Sequence, residues 1–248
     1  MSAGVAIIIP LVSPACWGRE SPRLRHAFKE MRVGAIAAVM SLLLIAGPRT
    51  GHCAQDEQNR RFAVELAVLA GDVRLLRQSG LPETHRRGLS DRVASALGFI
   101  GLLGREALQA SKRHDPELSE EIARLRLCFA AGDLAGSAVI LGRLVKRFPL
   151  DTRSFLPVTT IPARLARGRE LYESTCRACH IAPDTRRRNP ARDLFQDART
   201  MPAREFLARL IGGVRGVPQT GLENPLSDED LRALLAWFMH GRDKPSSG

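Results

Sequence analysis

The chain has 248 residues, 44% of them hydrophobic and 25% charged, a balance that fits one or two globular domains and excludes collagen-like, low-complexity and disulfide-scaffold classes. Lys+Arg number 37 against Asp+Glu 26, a formal charge of +11, yet the basic residues are mostly Arg scattered along the chain and aromatics are few (Trp 2, Tyr 1, Phe 9), so no nucleic-acid partner is expected. The Cys 5 fall at positions 16, 53, 128, 176 and 179 with a single close pair, which is not a disulfide framework.

Val33 to Gly47 carries no charge, comes after Lys29 and Arg32, and precedes Pro48 and Arg49. A basic stretch followed by an apolar one is the pattern of an export signal, and the run is short of the roughly 20 residues that a permanent span needs. The best cleavage point is after Ala54, although His52 stands where a small residue is preferred. Met31 directly precedes Arg32, so residues 1–30 read either as an upstream start or as a long basic region. Residues 1–54 are therefore expected to be a targeting segment. The remainder would lie in the periplasm or an equivalent exported space, without a permanent transmembrane helix once cleaved. The alternatives are an anchor formed by the uncleaved segment and a buried core helix of a cytosolic protein.

From Arg60 to about Phe148 apolar residues recur at three- and four-residue spacing, with almost no β-branched runs, which predicts helices throughout. Two breaks look alike, Ala70-Gly71-Asp72-Val73 and Ala131-Gly132-Asp133-Leu134. In each, Gly can end one helix and Asp can cap the next, making a tight hairpin. Ser119-Glu120-Glu121 and the Leu125/Leu127/Phe129 region fit a further amphipathic helix, with Cys128 read as a small buried hydrophobe. Pro149, Pro157 and Pro162 mark a linker. The expected organisation is all-α: a helical-hairpin domain over 55–148, a linker over 149–162, a second helical domain over 163–241, and a tail over 242–248.

That second domain is small enough to need a staple or a cofactor. It contains Cys176-Arg177-Ala178-Cys179-His180, a C-x-x-C-H run and a far stronger signal than a lone C-x-x-C. At the end of a helix two thiols so spaced can form thioethers with the vinyl groups of a haem, while the adjacent imidazole is aimed at the iron. A thioredoxin-like pair would want a preceding strand, but Ile161 to Thr175 reads as a helix with Pro162 near its start. A zinc site would need further ligands, and His85, His114 and His240 offer no paired spacing. Gly168 and Tyr172 on one helix, with Leu234 and Trp237 on the last, suit a close helix crossing. Ser227-Asp228-Glu229-Asp230 opens that last helix with a capping box, and Pro202 opens another that runs through Phe206, Leu207 and Leu210 to Gly212-Gly213.

The segment G-R-E-L-Y-E-S-T-C-R-A-C-H from Gly168, with G-V-P-Q-T-G-L-E-N-P-L-S-D-E-D-L-R-A-L-L-A-W-F from Gly216, resembles a class I c-type cytochrome. The resemblance covers about a third of the chain. It implies one covalent haem c held by Cys176 and Cys179, with His180 as the proximal iron ligand. More loosely, the region is similar to the cytochrome-like extracytoplasmic segment of some bacterial iron permeases; the membrane part is absent, so permease function does not transfer.

The family's loop before the last helix reads G-x-P-x-T-x-M-P, and its Met is the sixth ligand. Here Leu222 takes that place, and leucine has no lone pair to donate. Met201, in Thr200-Met201-Pro202, is one candidate for the sixth position, His240 is another, and an open or water-bound iron is the third reading. A His/Met pair favours reversible electron transfer, whereas an open position lets the iron bind small ligands. Arg186, Arg187, Arg188 and Arg192 form either a solvated loop or a patch for haem propionates or an acidic partner. The leading expectation is an electron carrier with a redox partner protein that is acidic or membrane-bound. The alternatives are a haem-based small-ligand sensor and a non-haem interaction protein.

Overall fold

The computed structural model describes residues 50–181, 186–187, 189–213 and 224–241. The apolar run at 33–47, the loop carrying Leu222, Arg188 and the tail lie outside the described residues. The described chain is helical, with no strand: α1 (Thr50–Leu76), α2 (Glu83–Ala110), α3 (Leu118–Ala130), α4 (Leu134–Arg147), α5 (Pro162–Leu171), a π-helical turn (Tyr172–Cys176), α6 (Arg177–His180), α7 (Leu194–Thr200), α8 (Ala203–Gly212) and α9 (Asp228–His240). No helix among them is long and apolar enough to cross a membrane.

Helix α1 is buried all round from Phe62 to Leu69, as a helix central to a core must be. Its large residues Phe62, Leu66, Leu69 and Val73 recur at helical spacing and pack with Val93, Ile100, Leu125, Leu141 and Leu144 of α2 to α4. Its smaller residues Ala63, Val64, Ala67 and Val68 face Leu150 and Ala208 instead. A separate cluster gathers Phe155, Leu171, Tyr172, Phe195, Met201, Phe206, Leu231, Leu234 and Phe238. Leu150 and Phe155 are buried, so the Pro-rich stretch between Phe148 and Ile161 is packed at these points rather than loose throughout.

The Gly-Asp break at Gly132-Asp133 forms as expected. Gly132 takes φ +76°, and Asp133 caps α4 by accepting from the Gly136 N–H at 2.8 Å. Its twin does not form. Helix α1 runs straight through Gly71-Asp72 to Leu76, and the turn comes at Gly80, with φ +84°. The reason is that these two residues serve packing. A Cβ on Gly71 would overlap the Glu205 carboxylate of α8, and Asp72 is a buried acceptor rather than a cap. Arg92 donates to both oxygens of Asp72, at 2.8 and 2.5 Å, and Arg209 Nη2 donates to Oδ1 at 2.8 Å. Arg209 also reaches Glu205 Oε1 at 2.9 Å, and Arg74 Nη2 reaches Glu205 Oε2 at 3.0 Å. Arg60 of α1 extends the seam to Asp228 at 2.8 Å.

Pro162 opens α5, as its fixed φ and missing N–H allow. Helix α5 crosses α9 at Gly168, where a Cβ would overlap the Ala233 carbonyl oxygen and lie 2.7 Å from the Trp237 Cβ. Ser227 and Asp230 form the expected capping box at the start of α9. Gly213, at φ +66°, ends α8 where the Gly pair predicts.

Both close contacts carry a stability prediction. Gly168→Ala is expected to destabilise the folded chain by about 2 kcal/mol, because rigid backbone, not a flexible side-chain tip, faces the added methyl. Asp72→Ala removes the buried acid that two part-buried guanidinium groups share and should cost roughly 3 kcal/mol. Denaturant midpoints at constant m check both, and a double-mutant cycle with Arg209→Ala should recover part of the second loss.

Candidate haem site

Helix α5 leads without a break into the C-x-x-C-H residues, but not as uniform α-helix. Between Tyr172 and Cys176 the hydrogen-bond ladder widens into a single π turn, where one extra residue is accommodated and the register of the next helical turn is shifted. Ser174 and Thr175 hydroxyls turn back onto the carbonyls of Glu170 and Leu171. The turn is framed by edge-to-face aromatics: the Tyr172 ring lies 5.3 Å from Phe195 and 5.7 Å from Phe238, and Phe195 lies 6.2 Å from Trp237. Sequence periodicity predicts a plain helix from Ile161 to Thr175, because the few apolar residues around the π turn do not reveal a one-residue shift of register.

Cys176, Cys179 and His180 then occupy one helical stretch. Cys176 is partly buried against the aromatic cluster, and Cys179 is exposed. Both are free thiols. Burial pushes the Cys176 thiol above its ordinary pKa; the Thr175 hydrogen bond opposes this, and the neighbouring Cys179 adds to it.

His180 is oriented by the backbone. Its Nδ1 stands 2.6 Å from the Arg192 carbonyl oxygen, so Nδ1–H donates and Nε2 is left as the free lone-pair nitrogen. Two thiols one turn apart and an imidazole presenting Nε2 are the donor set that covalent haem attachment requires. The residues therefore fit a haem c, with Cys176 and Cys179 as thioether donors and His180 toward the iron. The Trp237 indole N–H is buried and has no hydrogen-bond partner among the described residues, a further polar group in the same cluster. Among the described residues no group of three or more His, Cys, Asp or Glu side chains gathers as a metal cluster would.

Met201 is buried as the C-cap residue of α7, and its N–H donates to the Asp197 carbonyl at 2.9 Å. It shares one hydrophobic cluster with Cys176. His240 is exposed at the end of α9. Arg192, read from the sequence as part of a basic loop, pairs bidentately with the buried carboxylate of Asp197 at 2.5 and 2.7 Å. Neither the Arg192 carbonyl nor Asp197 is marked in the sequence, since one is backbone and the other lies on a short helix with no motif; the only hint is their i, i+5 spacing across a capping Asp193.

Residues 163–238 match the family described as cytochrome C oxidase, cbb3-type, subunit III. This segment is a c-type cytochrome domain, which implies covalently bound haem c, haem-based electron transfer in general, and a redox partner. The match spans less than half of the chain. No curated protein and no solved structure matches the chain.

The contrast between the two thiols is measurable. In haem-free protein at pH 8, Cys179 is expected to be alkylated by iodoacetamide several-fold faster than Cys176, which is less accessible and held more as the neutral thiol. Peptide mass spectrometry over a time course checks this; equal rates would mean that Cys176 is not shielded.

Proposed function

We propose that the chain is an exported monohaem c-type cytochrome that carries single electrons between a donor and an acceptor protein. The observation that carries this reading is the hydrogen bond from His180 Nδ1 to the Arg192 carbonyl. It presents Nε2 beside two free cysteines at haem-attachment spacing. The haem supplies a one-electron couple; the protein sets its ligation, burial and access. Cys176 and Cys179 hold the group covalently, so it cannot be lost during exchange with partners. His180 is the proximal ligand. Met201 is the proposed distal ligand, supported by its burial in the cluster against which Cys176 packs. Cys179 and Ile181 are exposed, so the attachment edge of the domain faces solvent, where a partner can approach. The positive excess of the chain favours an acidic partner or a membrane-bound one. Export is supported by the basic and apolar succession before residue 54, since covalent attachment is completed outside the cytoplasm. Residues 55–148 are a helical domain that packs on the haem domain through the contact of α1 with α8, with 149–162 running between the two.

A second reading rests on Leu222, which stands where the resembling family places its ligating Met. With no distal ligand the domain is a small-ligand sensor.

Haem staining on a denaturing gel should show covalent haem in the wild type and none in Cys176→Ala/Cys179→Ala. The ferrous spectrum with and without carbon monoxide separates the two readings: a low-spin spectrum that carbon monoxide leaves unmoved supports the carrier, and a high-spin spectrum that shifts supports the sensor. Met201→Ala should convert the first pattern to the second; a spectrum unaltered by that substitution removes Met201 as ligand.

A further inference from the structure

We infer that Asp197 is a positioning residue for the proximal histidine, acting through Arg192; this rests on the haem reading of Cys176, Cys179 and His180.

The carbonyl that receives the His180 Nδ1–H belongs to a residue in the irregular stretch before α7, where no helix or sheet ladder holds it. Its position depends on what pins the chain to either side. On the C-terminal side Asp193 caps α7, accepting from the N–H groups of Phe195 and Gln196 at 3.0 and 2.9 Å. This fixes the peptide just after Arg192. The Arg192 side chain folds back along α7, and its planar guanidinium places Nε on Asp197 Oδ2 and Nη2 on Oδ1. Such a fork fixes orientation as well as distance, which a single ammonium cannot do.

The two partners differ in exposure. The Asp197 side chain is 7% exposed and set in the core, whereas that of Arg192 is 43% exposed. A half-exposed pair adds little to stability on its own. Its effect is geometric: a buried carboxylate on a packed helix becomes the anchor from which the Arg192 carbonyl is held 2.6 Å from His180 Nδ1. Donation from Nδ1–H makes the opposite nitrogen a more electron-rich ligand and fixes the ring's rotation. A slackened carbonyl weakens that donation. A less electron-rich imidazole then favours the ferrous over the ferric state, and the reduction potential rises.

Charge alone makes a different set of predictions. Loss of the Arg192 cation would lower the potential, loss of the Asp197 anion would raise it, and Arg192→Lys would leave it unmoved. Positioning predicts a rise in all three variants: Arg192→Gln, Arg192→Lys and Asp197→Asn.

The experiment uses the full haem-loaded chain. Reduction potentials are measured by spectroelectrochemistry, and the exchange of the His180 Nδ1 proton is followed by NMR. The expected result is a higher potential in each variant, with exchange about tenfold faster, the factor appropriate to losing most of one hydrogen bond. Potentials that move with the sign of the removed charge, no shift in Arg192→Lys and unchanged proton exchange would overturn the inference. If Asp197→Asn does not fold, the two substitutions at the half-exposed Arg192 carry the test. Wild-type protein that stains for no haem overturns the functional reading and this inference with it. Wild-type protein that holds haem through His180 but shows the charge-only pattern overturns this inference alone.

Discussion

Gly168 and Ala233 approach so closely that no side chain fits between α5 and α9, and everything at the haem site is referred to that contact. Helix α5 supplies the two thiols and the imidazole as its direct continuation, while α9 supplies Leu234, Trp237 and Phe238 to the cluster beneath them. If the two helices stood farther apart, Tyr172 would lose its edge-to-face partner on α9 and the π turn its packing. Close approach of two backbones is available only through glycine, so one missing methyl sets the position of the motif.

From that fixed point the site is closed by α7, a helix of seven residues with a task at each end. Before its first turn lies the Arg192 carbonyl that engages His180, and at its last lies Met201. Asp197, in the middle, accepts the Arg192 guanidinium with its side chain, and its carbonyl accepts the Met201 N–H. The two proposed iron ligands, His180 and Met201, are thereby referred to a single rigid segment. Phe195 on the same helix packs on Tyr172, Trp237 and Phe238, which ties α7 to the crossing of α5 and α9.

Much of this architecture is legible in the sequence, and the parts that are not have identifiable causes. Helix starts with side-chain or proline signals, at Asp133, Pro162, Pro202 and Ser227, fall where the residues say they should. The C-x-x-C-H run and the Gly168 crossing are equally plain, because each depends on residue types that few other roles require. The break expected at Gly71-Asp72 fails because Gly and Asp have two uses, and local pattern cannot tell a cap from a buried acceptor. Its distinguishing partners, Arg92, Arg209 and Glu205, lie far off in the chain and come together only on folding. The π turn is invisible for another reason: the apolar residues around it, Leu171, Tyr172 and Cys176, are too few to reveal a one-residue shift of register. The hold on His180 is a main-chain carbonyl, which no side-chain pattern can announce.

The seam between α1, α2 and α8 has a chemistry of its own. On one side of α1, Ala63, Val64, Ala67 and Val68 give a flat apolar contact to Leu150 and Ala208, a surface that many small-residue helices could match. Such a contact is adhesive but permits sliding. The ion pairs beside it do not: Asp72 accepts from both Arg92 and Arg209, and Glu205 from both Arg74 and Arg209, so a shift of α8 by one residue would leave charges buried without partners. The cost of desolvating buried ions makes such a network a weak source of net stability but a strong penalty on wrong registers. Burial works against the charge on Arg209, but the two acids it sits on outweigh that effect and hold its guanidinium more firmly charged. Gly71 completes the arrangement, since the room its missing side chain leaves is filled by the Glu205 carboxylate. The apolar face thus holds α1 and α8 together, and the charges decide where along each other they stop.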